Sequence, residues 1–269
     1  MKNILEKLII LVIILIQLSF CGGIFMRIRQ HGFIYQLTFL PSLFPVNCYL
    51  VEEETELTLI DTALPYSHKG ILQAAKKIGK PITRIVLTHA HEDHVGSLDH
   101  LKNALPKAMV MISKRDAKIL EGDRALEPGE PQTPIRGGVP KWVQTRPDYL
   151  LNDGDRVGSL KAVFSPGHTP GSMAFIDMRN QALIAGDAFQ TRGGIAVAGT
   201  VKPLFPFPAF GTWNKELAWE SARRLRDLHP SLLAVGHGSM IMDPVEAMSR
   251  ALKDAEKTLK RRGNYAERS

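Results

Sequence analysis

The 269-residue chain contains only two cysteines, Cys21 and Cys48. Two cysteines cannot build a disulfide framework, and their spacing matches no zinc ribbon. Nothing in cysteine usage marks a chain made for an oxidising compartment. A Gly-x-Ser-x-Gly element is absent as well, which removes the activated serine that such an elbow presents. There is no collagen repeat, no coiled-coil heptad and no disordered low-complexity tail. What remains is an ordinary globular composition, 44% hydrophobic and 23% charged. At this length one large α/β domain with a buried core is expected.

The formal charge is +7, with much of the excess near the C-terminus. Arg250, Lys253, Lys257, Lys260, Arg261 and Arg262 are interleaved there with Glu246, Asp254 and Glu256. That pattern reads as a solvated helix face, so no nucleic-acid partner is expected. Cys48 falls in the strand-like run Val46–Val51 and is expected to be a buried free thiol.

The N-terminus carries an apolar run from Leu8 to Phe20, extendable through Phe25, which approaches spanning length. Lys2 and Lys7 precede it and Arg27 and Arg29 follow, so flanking charge sets no orientation. Three readings stand side by side: a membrane anchor through residues 8–25, a signal segment, or a misassigned extension. The third takes Met26 as the start, with Gly22-Gly23-Ile24-Phe25 as a translated ribosome-binding element. The protein is membrane-anchored on the first reading and cytoplasmic on the third. A single folded domain is expected over residues 26–269, with its oligomeric state left open.

Downstream of Met26 the pattern is that of a layered α/β domain. Strands are predicted at 28–40, 46–53, 57–61, 82–88, 108–113, 160–164, 173–177, 182–185 and 232–235. Helices are predicted at 66–79, ending on Gly79, and at 95–105, after Ser113 to about Leu120, at 213–228, and from Pro244 to about Arg261. Two irregular stretches, 121–147 and 189–211, are long enough to be functional loops.

The chemistry concentrates in Thr88-His89-Ala90-His91-Glu92-Asp93-His94, at a strand end just before a helix. Imidazole and carboxylate suit zinc and its borderline neighbours. Four ligand-type residues within six positions are too many for one tetrahedral ion that keeps an open place. The spacing therefore suggests two ions sharing the loop.

This segment resembles the signature of the metallo-β-lactamase superfamily, and the similarity continues to the last helix. Ser165-Pro166-Gly167-His168-Thr169-Pro170-Gly171-Ser172 looks like the family's second histidine loop. Leu183-Ile184-Ala185-Gly186-Asp187 looks like its strand ending in a bridging aspartate, and Ala234-Val235-Gly236-His237-Gly238 like the strand ending in its last histidine. The resemblance implies a four-layer αββα sandwich with the site at the C-terminal edge of the strands. It places His89, His91 and His168 on one metal, and Asp93, His94 and His237 on a second, with Asp187 bridging. The metals would be two zinc ions, or other divalent transition metals such as iron or manganese. Asp93 is also implied to pass a proton to the leaving group. Asp61 resembles a carboxylate that orients the histidine loop; a plain turn residue is the alternative.

The implied activity is hydrolysis of a small-molecule ester, lactone or thioester. The bridging aspartate sets the chain apart from most true β-lactamases, and only one long helix is expected after His237, which counts against a helical substrate domain of the hydroxyacylglutathione hydrolase kind. A persulfide dioxygenase-like iron oxygenase and a phosphodiesterase or nuclease of the same fold are the alternatives. Trp142, Tyr149, Phe189, Phe205, Phe207, Phe210 and Trp213 are candidates to line an apolar pocket over the metals. Arg136, Lys141, Arg146, Arg192 and Lys202, in the two loops, are the candidates to offer charge to a phosphate.

Overall fold

The computed structural model describes residues 26–266. The three readings of the N-terminal segment concern residues 1–25 and lie outside the described residues. Among the described residues no helix is long and apolar enough to cross a membrane.

Two sheets form the centre. The first runs β1(Met26–His31), β2(Ile34–Phe39), β3(Val46–Glu52), β4(Leu57–Ile60), β5(Ile82–Val86), β6(Met109–Ser113) and β7(Tyr149–Leu151), side by side in chain order. The second has the order β15(Ile241–Met242), β14(Leu232–Ala234), β11(Ala182–Ile184), β10(Met173–Asp177), β9(Leu160–Phe164) and β8(Arg156–Val157). Strand alternation then makes four layers. In β3, Cys48 and Leu50 join the helix-facing core while Tyr49 and Val51 face the second sheet. In β10, Met173 and Phe175 face the first sheet, while Ala174 and Ile176 turn outward. Sheets covered on both faces read as near-continuous apolar runs, and Leu232–Val235 is one.

The helices cover the two outer faces. On the first sheet α1(His68–Ile78) contributes Ile71, Ala74 and Ala75 and ends on left-handed Gly79, as predicted. Leu98 and Leu101 of α3(Leu98–Ala104) and Ile119 of α4(Lys114–Leu120) pack beside it. On the second sheet lie α6(Lys215–Asp227) and α7(Val245–Ala266), through Ala222, Leu225, Met248 and Leu252. Cys48 is a buried free thiol.

Three sequence expectations need correction. The strand expected over 28–40 is a hairpin, β1 and β2, reversed at Gly32 with φ of 53°. The helix expected over 95–105 is two short ones, α2(Glu92–Val95) and α3, parted at Gly96. A Cβ there would overlap the backbone of Ala63–Pro65, so the chain presses against that turn instead of continuing one helix. The stretch 189–211 contains a small ribbon, β12(Phe189–Gln190) with β13(Ala196–Val197), and the short α5(Phe207–Gly211).

Candidate metal centre

β5, β11 and β14 each pair with a parallel neighbour, so their C-terminal ends share one edge of the two sheets. There the chain leaves β5 into His89–His94, β11 into a 3-10 turn carrying Asp187, and β14 into His237. The β9–β10 connection brings His168 to the same edge. Backbone bonds clamp the sheets here: Met173 N–H donates to Thr88 O at 2.8 Å, and Asn47 N–H to Gly236 O at 2.9 Å. All seven residues singled out from the sequence meet in this place. His89, His91 and His168 form one group, and Asp93, His94 and His237 another, each with its ligand atoms within 4.8 Å. Asp187 lies between them: Oδ2 is 3.4 Å from His168 Nε2 and 3.2 Å from His237 Nε2, and Oδ1 is 3.5 Å from His94 Nε2.

The tautomers follow from the outer hydrogen bonds. His91 Nε2–H donates to Arg136 O at 2.9 Å and His237 Nδ1–H to Pro45 O at 2.8 Å. Thr212 Oγ1 gives its own proton to Pro208 O, so it accepts from His168 Nδ1–H at 3.2 Å. Thr88 Oγ1 likewise donates to Asp61 Oδ2 and accepts from His89 Nδ1–H at 2.9 Å. Asp61 Oδ2 also accepts from His94 Nδ1–H at 2.8 Å. Five imidazoles thus have their outer N–H engaged, and five lone pairs point inward at two carboxylates. His91 Nδ1 and His168 Nε2 face each other at 2.9 Å with no proton left over for either. His89 Nε2, His94 Nε2 and Asp187 Oδ1 are buried and without hydrogen-bond partners. Buried acceptors turned on one another are unfavourable unless a cation lies among them. Their 3.2–3.5 Å separations to Asp187 match the edge, about 3.3 Å, of a tetrahedron with metal–ligand bonds near 2.0 Å. The donor set fits transition-metal cations.

The carboxylates draw protons onto His94 and His237 as they would draw a cation, and a cation bound there would displace those protons. Burial holds His89 and His91 below the ordinary imidazole value and takes His168 down to about 3. Burial opposes protonation of His94 and His237 too, yet Asp187 and its neighbouring carboxylates outweigh it, raising His94 well up and His237 to about 10. Burial would raise Asp93 and Asp187, but His94 and His237 hold both carboxyls low.

Asp61, at the end of β4, takes the left-handed conformation with φ of 60°. Asp tolerates that region better than most side chains. Its two oxygens take Thr88 N–H at 2.7 Å, the Thr88 hydroxyl and His94, so it aligns the histidine loop from behind.

The sequence reading missed Asp116, the third residue of α4 and fully buried. Oδ2 accepts from Ala90 N–H at 2.9 Å and the Thr169 hydroxyl at 2.8 Å, and Oδ1 from Gly171 N–H at 2.8 Å. One carboxylate therefore ties the loop of His89 and His91 to the loop of His168. Burial pushes its pKa up to about 6, against the pull of those three bonds. Only its type, an acidic residue in the first turn of a helix, was visible, and that is ordinary capping chemistry.

The aromatic expectation is partly corrected. Phe205 and Phe207 flank the centre, with ring centroids 5.4 Å apart, and Phe205 lies 5.4 Å from His237. The missed Phe44 completes that wall, 5.6 Å from His237. Phe189 is instead core beneath the second sheet, and Trp213 is buried with Nε1 donating to Thr133 O. Tyr149 is exposed and reaches Asp155, while Trp142 and Phe210 are also exposed. His68 and His100 stack on each other at 4.5 Å.

Gly236 is a sharp test of the packing. A Cβ there would overlap Asp187 Oδ1 and lie 2.7 Å from His94 Cε1. Gly236→Ala is expected to leave a folded protein, because the atoms met belong to the side chains of Asp187 and His94 and not to backbone, but to displace both groups and lower bound metal. Metal analysis beside circular dichroism checks this; undiminished metal in the folded variant would show that Asp187 tolerates displacement.

The chain belongs to the metallo-β-lactamase superfamily, whose family model matches residues 41–237. Among its relatives, the uncharacterised protein YobT of Bacillus subtilis (strain 168) is 61% identical over 232 residues, covering 86% of this chain and 100% of the relative. The probable metallo-hydrolase YflN of the same organism is 28% identical over 77% of this chain and 83% of its own length. The mitochondrial persulfide dioxygenase ETHE1 of Bos taurus is 28% identical over 62% of this chain and 59% of its own length. Among solved structures, TTHA1623 in a di-iron-bound form aligns with a TM-score of 0.56 and 28% identity, over 76% of this chain and 93% of that one. The DIM-1 metallo-β-lactamase aligns with a TM-score of 0.66 over 87% of this chain and 98% of its own, at 15% identity, a likeness of fold alone. The αββα architecture and the superfamily expected from the sequence are thus established.

Proposed function

We propose that the chain is a binuclear metal-dependent hydrolase of a small-molecule ester, lactone or thioester. The observation that carries this is the convergence of five inward lone pairs with Asp93 and Asp187. On this reading His89, His91 and His168 hold one cation, Asp93, His94 and His237 the other, and Asp187 serves both. When bound, a pair of divalent cations activates water and polarises a carbonyl oxygen.

The chain's own groups supply the rest. Asp61 and Thr88 keep His94 and His89 in the tautomer that presents Nε2 inward. Among the seven residues Asp93 is the one open to solvent, its side chain 30% exposed against 5% or less for the others. Its carboxylate is placed to take a proton from water and hand it to a departing alkoxide or thiolate. Phe44 and Phe207, backed by the buried Phe205, exclude water on the His237 side and offer an apolar surface to an acyl group. The loop 121–147 closes the opposite side, where Arg136 O meets His91.

A second reading, an iron-dependent oxygenase, is favoured by the similarity to a persulfide dioxygenase and to a di-iron structure. Against it stands the complete second group of Asp93, His94 and His237, which a single-iron site does not need.

The expected order of activity is lactones, activated esters and thioesters first, phosphodiesters weaker, β-lactams least. A panel of lactones, aryl esters, acyl thioesters, bis-aryl phosphodiesters and a chromogenic cephalosporin, compared by kcat/KM, checks it. A phosphodiester ahead by tenfold, about 1.4 kcal/mol of transition-state preference, would overturn the acyl assignment.

A further inference from the structure

Along the edge strand β1 the guanidiniums of Arg27 and Arg29 gather with that of Arg192. Arg27 lies opposite Thr38 and Arg29 opposite Gln36 on β2, and these lie opposite Asn47 and Tyr49 on β3. Residues directly opposed across strands project from the same face. This face looks toward the second sheet, since Gln36 Nε2 and Asn47 Nδ2 donate to Gly238 O at 2.9 and 2.8 Å. Arg29 Nη1 reaches across to Ser239 Oγ at 3.4 Å. From the other wall the Thr191 hydroxyl donates to Ser239 O at 2.8 Å, and the next residue, Arg192, extends Nη2 to Ser42 O at 2.7 Å.

None of the three arginines forms an ion pair among the described residues. Burial and the charges of Arg29 and Arg192 pull the Arg27 guanidinium below its ordinary value, as like charges held together must. Arg27 Nε and Thr38 Oγ1 are shut off from solvent with no hydrogen-bond partner, and Thr38 is only 1% exposed. Both can donate to an oxyanion. Gln36 Oε1 and Asn47 Oδ1 are also unpartnered, and they suit bound water or the hydroxyl of a protonated anion. The anion's charge belongs outward, at the guanidiniums, whose fork matches carboxylate and phosphate oxygens.

The arginine cluster adjoins the metal centre. His237 O accepts from Thr191 N–H at 2.9 Å and Arg192 N–H at 3.3 Å. Ser42, the acceptor of Arg192, stands two residues before Phe44, whose ring lies against His237. We propose that Arg27, Arg29 and Arg192 form an anion subsite for a carboxylate or phosphate on the tail of the substrate, with the scissile carbonyl at the histidine cluster. Its assignment to substrate rests on the hydrolase reading; the anion site itself does not.

Isothermal titration calorimetry of the full chain with inorganic phosphate, at about 0.15 M salt, reads the cluster without turnover. Arg27→Ala with Arg192→Ala is expected to weaken binding at least about tenfold, while Arg250→Ala on exposed α7 leaves it unchanged. Phosphate held at the histidine cluster is common to all these proteins and cancels. Arg27→Lys with Arg192→Lys keeps the charge but loses the fork. It is expected to fall between, and it serves alone if the alanine pair does not fold. Wild-type affinity in either pair overturns the site. The second arm compares aryl esters with a terminal carboxylate, free or methylated. In the alanine pair KM should rise about tenfold for the free acid only, and an unchanged KM would overturn the assignment to substrate. If no ester is hydrolysed while the calorimetric loss holds, the hydrolase reading fails and the anion site stands. Intact hydrolysis with unaltered calorimetry overturns the anion site and leaves the hydrolase reading in place.

Discussion

Replacing His91 and Asp187 together with alanine is expected to strip the protein of bound metal and lower kcat/KM by about a thousandfold, some 4 kcal/mol. The wild type, purified without chelator, should carry two divalent transition-metal ions per chain on the reading that Asp187 serves both groups. His91 Nδ1 faces His168 Nε2 at 2.9 Å, so its loss opens the first group. Asp187 touches His94, His168 and His237, so its loss removes the negative charge common to both groups. Elemental analysis by mass spectrometry, with circular dichroism as the folding check, decides the matter. A double variant that keeps both metals would sink the ligand assignment. A single iron in the wild type, with oxygen consumed on adding a persulfide, would favour the oxygenase instead.

Asp116→Asn is expected to separate stability from activity. The folded carboxyl titrates near 6, above its ordinary value of 3.8. For an acid raised in this way the folded state binds the proton first, so this group's contribution to stability rises as pH falls from about 6 toward 4. At neutral pH the buried charge costs about 3 kcal/mol. Asparagine removes that cost, but it offers one acceptor where Ala90, Thr169 and Gly171 present three donors. The melting temperature should therefore change little, because the lost bonds and the relieved charge offset each other. Metal affinity should fall about ten- to hundredfold, the usual result when a group that orients metal ligands is lost. The d–d spectrum of cobalt-loaded protein should change with it, which a purely structural role would not produce. Wild-type affinity and spectrum in Asp116→Asn would show that the two histidine loops hold without this carboxylate.

Much of the architecture was legible because both sheets are buried on both faces. Apolar runs such as Ala182–Ala185 and Leu232–Val235 then stand out, and turn glycines such as Gly79 mark where elements stop. The hairpin at Gly32 and the break at Gly96 were not legible. Each depends on what the chain meets in space: β3 beside β2 in one case, the Ala63–Pro65 backbone in the other. The aromatic residues show the same limit. Phe189 and Phe205 sit in similar loop sequence, yet one packs beneath the second sheet and the other beside His237.

By itself the sequence determined which atoms are available. Imidazoles and carboxylates placed just after apolar strands name the donor chemistry, because ligand type is a property of the residue and strand ends are readable from periodicity. Tertiary structure alone decided which nitrogen of each imidazole faces inward. That choice belongs to the acceptor on the other nitrogen, such as Pro45 O, 192 positions from His237, or Asp61, 33 positions from His94. The same holds for Asp116, which joins segments 26 and 55 positions away, and for the three arginines gathered where β1 meets the turn after β12. A hydrogen-bond partner or a neighbouring charge is a matter of distance in space, and no local periodicity records it.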